Sequence, residues 1–179
     1  MHPSSKRSME GRSSPPLSRF SELSLALQHS DLTLLYFAAS WCPMSTPISH
    51  ALDRAFGGEN DLLSAQGGKS ALSIVYVSSD RSRDEYDAYI RDRKYWMAIP
   101  FESPQRDELK RHFSACARIE LEELDMDRKH EIPTIIVIDS RTHGIITTNG
   151  ANDVAKMGRL ALEHWKDMMT DIRESEIMI

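Results

Sequence analysis

The residue best placed for chemistry is Cys42, in the corner sequence Trp-Cys-Pro-Met-Ser at positions 41–45. An almost continuous apolar run, 32–39, precedes it and is typical of a strand buried on both faces of a sheet. Apolar residues recur at helical spacing over 44–56, so a helix is predicted to begin beside the cysteine. The unpaired amides and the positive dipole end of a helix start favour a thiolate there. We therefore expect an exposed, nucleophilic thiol; the alternative is a buried and inert cysteine.

A metal site is the other chemistry that a cysteine suggests. His112 precedes Cys116 by one helical turn, so these two side chains could share a metal ion. Structural zinc takes four ligands, and no further pair of ligands stands at a suitable spacing in the sequence. His50, two turns into the helix that follows Cys42, is expected at the surface and not as a catalytic base. The sequence thus predicts no metal site and no cofactor.

Composition narrows the class of protein. The chain has 179 residues, 40% of them hydrophobic and 27% charged, which suits one soluble domain with short extensions. A net charge of -5 argues against a nucleic-acid partner, because phosphate binding needs a concentrated basic surface.

No secretory signal is visible, and two cysteines are too few for a secreted disulfide framework, so a reducing compartment, cytoplasmic or nuclear, is expected. Residues 32–52 lack Asp, Glu, Lys and Arg, but their prolines and the break at Trp41 argue against a membrane span.

The remaining pattern predicts alternating strands and helices. Further strands are predicted at 71–78, 133–139 and 144–148, the last two as an antiparallel pair. Further helices are predicted at 84–90, 104–113 and 151–169. Asp80 is expected to cap the first of these helices, and Pro104 to open the second. Two strand–helix units, a hairpin and a closing helix together give a mixed sheet with helices on both faces.

Four stretches of the chain match, in order, the landmarks of a known family. They are Ala-Ala-Ser-Trp-Cys-Pro-Met-Ser at 38–45, Ile-Val-Tyr-Val-Ser-Ser-Asp-Arg-Ser at 74–82, Ala-Ile-Pro-Phe-Glu at 98–102 and Glu-Ile-Pro-Thr-Ile-Ile-Val-Ile-Asp-Ser at 131–140. This set resembles the tryparedoxin and nucleoredoxin branch of the thioredoxin superfamily, over 32–149. The resemblance implies a thioredoxin-like three-layer α/β/α fold with a central mixed sheet. It also implies thiol–disulfide exchange as the chemistry.

The resemblance implies roles for the residues around the reactive thiol. Trp41 matches the family's shielding aromatic side chain, and Pro43 fits a first helical turn. Met44 replaces the family's second proline, which loosens the corner and widens substrate access. Ile132 and Pro133 match a cis-proline dipeptide that lies opposite the reactive sulfur and presents its backbone to an extended substrate.

Ser45 stands where the family has its second cysteine. In a two-cysteine site the second sulfur attacks the mixed disulfide formed on the first, and a serine hydroxyl cannot do this. Ser45 is expected instead to donate a hydrogen bond to the thiolate of Cys42. Cys116 is not expected to resolve the mixed disulfide, because the family geometry gives no reason for its close approach to Cys42. Tyr36 takes the position of a buried acidic group in thioredoxins proper, and it is expected to pack in the core.

The predicted domain covers 17–169. The stretch 1–16 is rich in serine and proline and has no aromatic residue, so a disordered arm is expected there. Residues 170–179 are expected to form a frayed tail. Compared with the family pattern, the domain carries an acidic insert at about 114–131. This insert is expected to be a helical excursion or a mobile loop near the active face. The plainer alternative is a lengthened surface loop.

Two functions stay open at this level. The first is a redox protein with one working thiol, which forms mixed disulfides with protein thiols or disulfides, or with glutathione, through Cys42. The second is a catalytically inactive binding or regulatory module that holds a protein partner in the groove near Cys42 and Pro133. The retained Trp-Cys-Pro corner favours the first function, and Ser45 favours the second.

Overall fold

A central sheet carries the fold, in a computed structural model that describes residues 17–57 and 68–178. The predicted disordered arm, 1–16, lies outside the described residues. The strands are β1 (Ser30–Ala38), β2 (Ser70–Ser78), β3 (Trp96–Ala98), β4 (Ala115–Cys116), β5 (His130–Glu131), β6 (Thr134–Asp139) and β7 (Ile145–Thr147). Five of them form one sheet in the order β3-β2-β1-β6-β7, and β4 pairs with β5 separately.

The sheet is mixed, as predicted. β1 pairs in parallel with β2 on one side and antiparallel with β6 on the other. β3 extends the parallel half and β7 the antiparallel half. Both β1 and β6 are buried almost from end to end, which explains why their sequences read as continuous apolar runs. The short edge strand β3 was not predicted.

Helices cover both faces of the sheet and complete the three-layer α/β/α fold. They are α1 (Ser21–His29), α2 (Ser45–Phe56), α3 (Arg83–Ile90), α4 (Pro104–Phe113), α5 (Leu121–Leu124), α6 (Gly150–Met157) and α7 (Ala161–Ile177). One face packs Leu23 of α1 and Leu109 of α4 against the sheet. The other face packs Leu52 of α2, Val154 of α6 and Trp165 of α7. No helix within the described ranges is long and apolar enough to cross a lipid bilayer.

The closing helix differs from its prediction at both its middle and its end. The single helix expected over 151–169 is divided at Gly158, whose φ of 56° and ψ of -130° suit glycine alone. The chain then stays helical to Ile177 instead of fraying after Met169. Arg173 accounts for this extension, because its guanidinium binds the Asp139 carboxylate at the end of β6.

Replacing Arg173 with leucine is expected to destabilise the protein at neutral pH and to have little effect near pH 2. Burial alone raises the pKa of Asp139, but hydrogen bonds from Arg173 and from the Arg141 and Thr142 amides outweigh it and hold that pKa at about 2. A carboxyl whose pKa is depressed stabilises the fold above its unfolded pKa of about 3.9, and loses this contribution as pH falls toward 2. Urea denaturation should show a loss of roughly 1–2 kcal/mol at pH 7. Lys166→Leu, which removes an exposed ion pair of α7, should change stability by less than about 0.5 kcal/mol.

Candidate active site

Cys42 lies in the tight connection between β1 and α2. Its amide donates to the Ala39 carbonyl at 3.2 Å, and its own carbonyl accepts from the Ser45 amide at 3.0 Å. These two successive turns fold the cysteine back onto the end of the strand, so only 7% of its surface is exposed. The prediction of an exposed thiol is therefore wrong for this conformation. Cys42 does lie in a loop that leads into a helix, since α2 begins at Ser45, three residues further on.

Ser45 is the first residue of α2 and is fully buried. Its Oγ accepts a hydrogen bond from the Ala39 amide at 3.4 Å. Within the described part of the chain, its hydroxyl makes no hydrogen bond to Cys42, in contrast to the expectation. Ser45 thus ties the start of the helix to the end of β1. Met44, the residue before the helix, is 69% exposed, and Pro43 is exposed as well.

Tyr36 is a core residue that binds the first turn of α2. Its hydroxyl donates to the Ser45 carbonyl at 3.0 Å and lies 2.8 Å from Ser49 Oγ. Ser49 Oγ also contacts the Tyr89 hydroxyl. Burial raises the pKa of Tyr36 far above its ordinary value, so its phenol stays protonated at physiological pH. Tyr36 is a packed and hydrogen-bonded core residue, as expected.

Trp41 is held against the end of β2. Its indole Nε1–H donates to the Ser79 carbonyl at 2.9 Å, and the Arg81 guanidinium lies 4.8 Å from the ring centroid. The indole is thereby fixed directly before Cys42, with one face covered by a cation. This position fits the shielding aromatic that the family resemblance implies.

Asp80 fixes the same loop and was missed as a site residue. Its Oδ1 accepts from the Ser40 amide at 2.6 Å. Its Oδ2 accepts from the hydroxyls of Tyr76 and Ser78 at 2.8 and 2.7 Å. Asp80 does not cap α3, because that place belongs to Ser82, whose Oγ accepts from the Glu85 amide. Since β1 and β2 are parallel, their carboxyl ends share one edge, and this rule could have placed Asp80 beside the cysteine loop.

The Ile132-Pro133 peptide bond is cis, as the family resemblance implied. Thr134 pairs with Phe37 in the antiparallel ladder of β6 and β1. Continuing this register places Pro133 beside Ala38, at the edge of the sheet from which the cysteine loop leaves. Both residues of the dipeptide are half-buried, so part of their surface faces solvent.

The second cysteine is inaccessible. Cys116 is fully buried in β4, and burial, reinforced by the Glu120 carboxylate, raises the pKa of its thiol. Both Cys42 and Cys116 are free thiols. His112 contacts the Phe113 ring, and the described residues contain no group of three or more His, Cys, Asp and Glu side chains suited to a metal ion.

The acidic insert folds into short helices beside the cysteine loop. β4 and β5 pair at its base, and a 3-10 turn at Arg118–Glu120 leads into α5. Glu120 anchors it, because its carboxylate binds the Lys110 ammonium, accepts from Ser79 Oγ at 2.6 Å and accepts from the Ala117 amide at 2.9 Å. The helical part of the insert is thus limited to the short stretch 118–124. Ser79 connects the insert to Trp41, since the same residue binds both.

Iodoacetamide is expected to label Cys42 before Cys116. Cys42 retains some surface, whereas Cys116 has none and a raised pKa that leaves little thiolate at neutral pH. Peptide mass spectrometry over a labelling time course should give a rate at least about tenfold higher for Cys42. Cys116→Ser should leave that rate unchanged. Preferential labelling of Cys116 in the folded protein would contradict the assignment.

A mixed sheet whose central strand ends at a Trp-Cys-Pro corner, with a cis-proline at the same edge, defines the thioredoxin superfamily. The family model described as Thioredoxin-like matches residues 30–143, so the chain belongs to this family. Nucleoredoxin-like protein 1 of Homo sapiens is 27% identical over 141 residues, which cover 76% of this chain and 57% of that protein. The chain thus spans little more than half the length of this relative.

Solved structures agree on the fold. Tryparedoxin I from Leishmania major superposes with a TM-score of 0.56 at 22% identity, covering 75% of this chain and 78% of that chain. Tryparedoxin II complexed with glutathionylspermidine gives a TM-score of 0.51 at 23% identity, covering 74% and 77%. Identities at this level indicate a common fold.

Proposed function

We propose that this protein is a monothiol disulfide-exchange protein that forms mixed disulfides with protein or glutathione partners through Cys42. The observation that carries the proposal is the position of Cys42 in the turn that leads into α2, with a buried serine at the position of the family's second cysteine. Trp41 and the cis-proline dipeptide at 132–133 flank the same edge and serve as the substrate-binding surface. The exposed Pro43 and Met44 form the outer wall of that surface.

The exchange needs one thiol in the protein and a second thiol from outside. The Cys42 thiolate attacks a disulfide R–S–S–R′, whose bond breaks as Cys42–S–S–R forms and R′–S⁻ leaves to take a proton from water. An external thiolate R″–S⁻ then attacks the R sulfur, forms R–S–S–R″ and releases the Cys42 thiolate. One disulfide is exchanged for another without net oxidation, so no second cysteine is required. Ser45 holds the loop in place and takes no chemical part in the exchange.

Glutathione and protein thiols are the partners that this chemistry uses. Tryparedoxin II is seen with glutathionylspermidine, a glutathione conjugate, and that observation supports a thiol of this kind as partner. We also propose a reducing compartment, the cytoplasm or the nucleus, and the presence of two free cysteines supports this proposal.

The alternative is a regulatory binding module that no longer turns over. Two observations favour this alternative. Only 7% of the Cys42 surface is exposed, and the hydroxyl of Ser45 binds the Ala39 amide instead of the thiol. In that case the edge around Trp41 and Pro133 holds a protein partner without covalent exchange.

Trapping the mixed disulfide tests the proposal. The reduced protein is mixed with 2-hydroxyethyl disulfide or oxidised glutathione, quenched in acid and examined by intact-mass and peptide mass spectrometry. One adduct is expected on Cys42, and it should disappear in Cys42→Ser and persist in Cys116→Ser. Absence of an adduct on the folded protein would favour the non-covalent binding module.

A further inference from the structure

A cavity of about 220 Å³ opens between the loop that follows β2 and the acidic insert. Its walls include Ser79 and Arg81 from the loop after β2, Phe101 from the turn before α4, and Arg106 from the first turn of α4. Ile119 and Glu123 of the insert line it as well. Ser79 and Arg81 are the residues that bind the Trp41 indole. The cavity therefore adjoins the residue that precedes the reactive thiol. A bound group there would lie beside a substrate engaged at Cys42.

Arg106 is the unusual feature of this cavity. Its guanidinium lies 4.3 Å from the centroid of the Phe101 ring. Its Nε and Nη1 atoms are shut off from solvent, and neither has a hydrogen-bond partner among the described residues. Buried donors in native proteins are almost always paired, so two orphaned donors on one charged group indicate a missing acceptor. A guanidinium pairs best with a carboxylate or a phosphate.

The other charged groups of the cavity are mostly engaged. Asp80 is occupied by the amide and hydroxyl donors described above, and Glu120 is neutralised by the Lys110 ammonium. Asp107 lies 3.8 Å from the same ammonium. Glu123 is exposed and has no ion pair within the described ranges. The cations left for a ligand are therefore Arg106 and Arg81, and both line the cavity.

We propose that this cavity binds a carboxylate of the disulfide substrate, held by Arg106 with Arg81 on the Trp41 side. The carboxylate comes from glutathione or from an acidic side chain near the reacting cystine of a polypeptide. Exposed Ile119, at 58% of its surface, offers an apolar contact to the rest of that substrate. The cavity gives the insert a role, which is the selection of acidic disulfides. This inference rests on the proposed exchange at Cys42.

The kinetic test compares disulfides that differ in charge. Second-order rates of mixed-disulfide formation are measured for oxidised glutathione, cationic cystamine and neutral 2-hydroxyethyl disulfide. Arg106→Gln should slow oxidised glutathione about tenfold, as expected for the loss of a charge-assisted hydrogen bond, and should leave the neutral disulfide within about twofold. Arg106→Lys should recover part of the rate. Arg91→Gln, an exposed arginine outside the cavity, is the matched control and should change neither rate. Equal slowing of all three disulfides by Arg106→Gln would overturn the proposal.

An equilibrium test separates the cavity from the exchange reaction. Cys42→Ala cannot form a mixed disulfide, so binding of non-reactive probes reports on the cavity alone. The Trp41 indole N–H resonance serves as the reporter in titrations with S-methylglutathione and with capped peptides carrying one glutamate or one glutamine. An Arg106-dependent shift with S-methylglutathione supports glutathione as the source, and a shift with the glutamate peptide alone supports a polypeptide. No Arg106-dependent shift with either probe would overturn the carboxylate site. Failure of the unaltered protein to react with 2-hydroxyethyl disulfide would instead overturn the exchange function.

Discussion

Ser45→Cys is expected to convert the protein into a dithiol reductase. The Ser45 amide bonds the Cys42 carbonyl at 3.0 Å, which closes a turn whose end Cα atoms lie less than about 7 Å apart. Disulfides form over Cα separations of about 4.4–6.8 Å, so the new thiol lies within reach of Cys42. This thiol would attack the mixed disulfide within the same molecule. The rate of a well-oriented intramolecular attack greatly exceeds the rate of attack by an external thiol at millimolar concentration. Insulin-disulfide reduction should rise roughly 100-fold or more.

Two variants control for the position of the added thiol. Thr46→Cys places a cysteine on the exposed side of the same helical turn, where it should give no comparable gain. Ser45→Ala removes the hydroxyl and adds no thiol. It should therefore leave the rate of mixed-disulfide formation unchanged and remove only the hydrogen bond from the Ala39 amide. After mild oxidation, the mass of Ser45→Cys should fall by two hydrogen atoms, because a disulfide forms between residues 42 and 45. A variant that folds, forms the mixed disulfide and still fails to resolve it would contradict the geometry inferred for this site.

The part of the site that could be predicted from sequence is the part that local chemistry determines. A short apolar run rich in β-branched and aromatic residues is typical of a buried strand, so β1, β2 and β6 were placed within a few residues. Pro104 does begin α4, with Ser103 as its cap. Cys42 and the cis-proline dipeptide were placed because the family landmarks include them.

The missed features depend on contacts between distant residues. Asp80 follows a strand and reads as a helix cap, yet it binds the Ser40 amide forty positions earlier. Glu120 reads as one more charge of an acidic loop, but it meets a fully buried lysine. The burial of Cys42 results from turns whose geometry no residue type specifies. Sequence patterns report the environment of each segment, and they do not report which segments meet.

Glu120→Ala is expected to cost about 3 kcal/mol of stability and to release the acidic insert from the active edge. The substitution leaves the ammonium of Lys110 fully buried, and among the described residues the remaining counter-charge is Asp107 at 3.8 Å. Removing one partner of a buried ion pair typically destabilises a protein by about 3–5 kcal/mol, and the remaining carboxylate places the expected value at the lower end. Urea denaturation gives the loss in stability, and hydrogen exchange shows whether residues 114–131 open selectively. Glu122→Gln, an exposed acid of the same insert, should be neutral.

The pH dependence of this variant separates the buried charge from simple loss of packing. Burial lowers the pKa of Lys110 even with Glu120 present, and removing that carboxylate lowers it further. The unfolded lysine, with a pKa of about 10.4, then binds more protons than the folded one, so the stability of Glu120→Ala should rise with pH toward that value. Lys110→Met combined with Glu120→Ala removes the buried cation and should abolish this rise. A loss of stability that does not vary with pH would mean that Glu120 acts by packing alone. If the rise appears together with slower adduct formation at Cys42, the insert stabilises the reactive edge through the contact from Glu120 to Ser79 and Trp41.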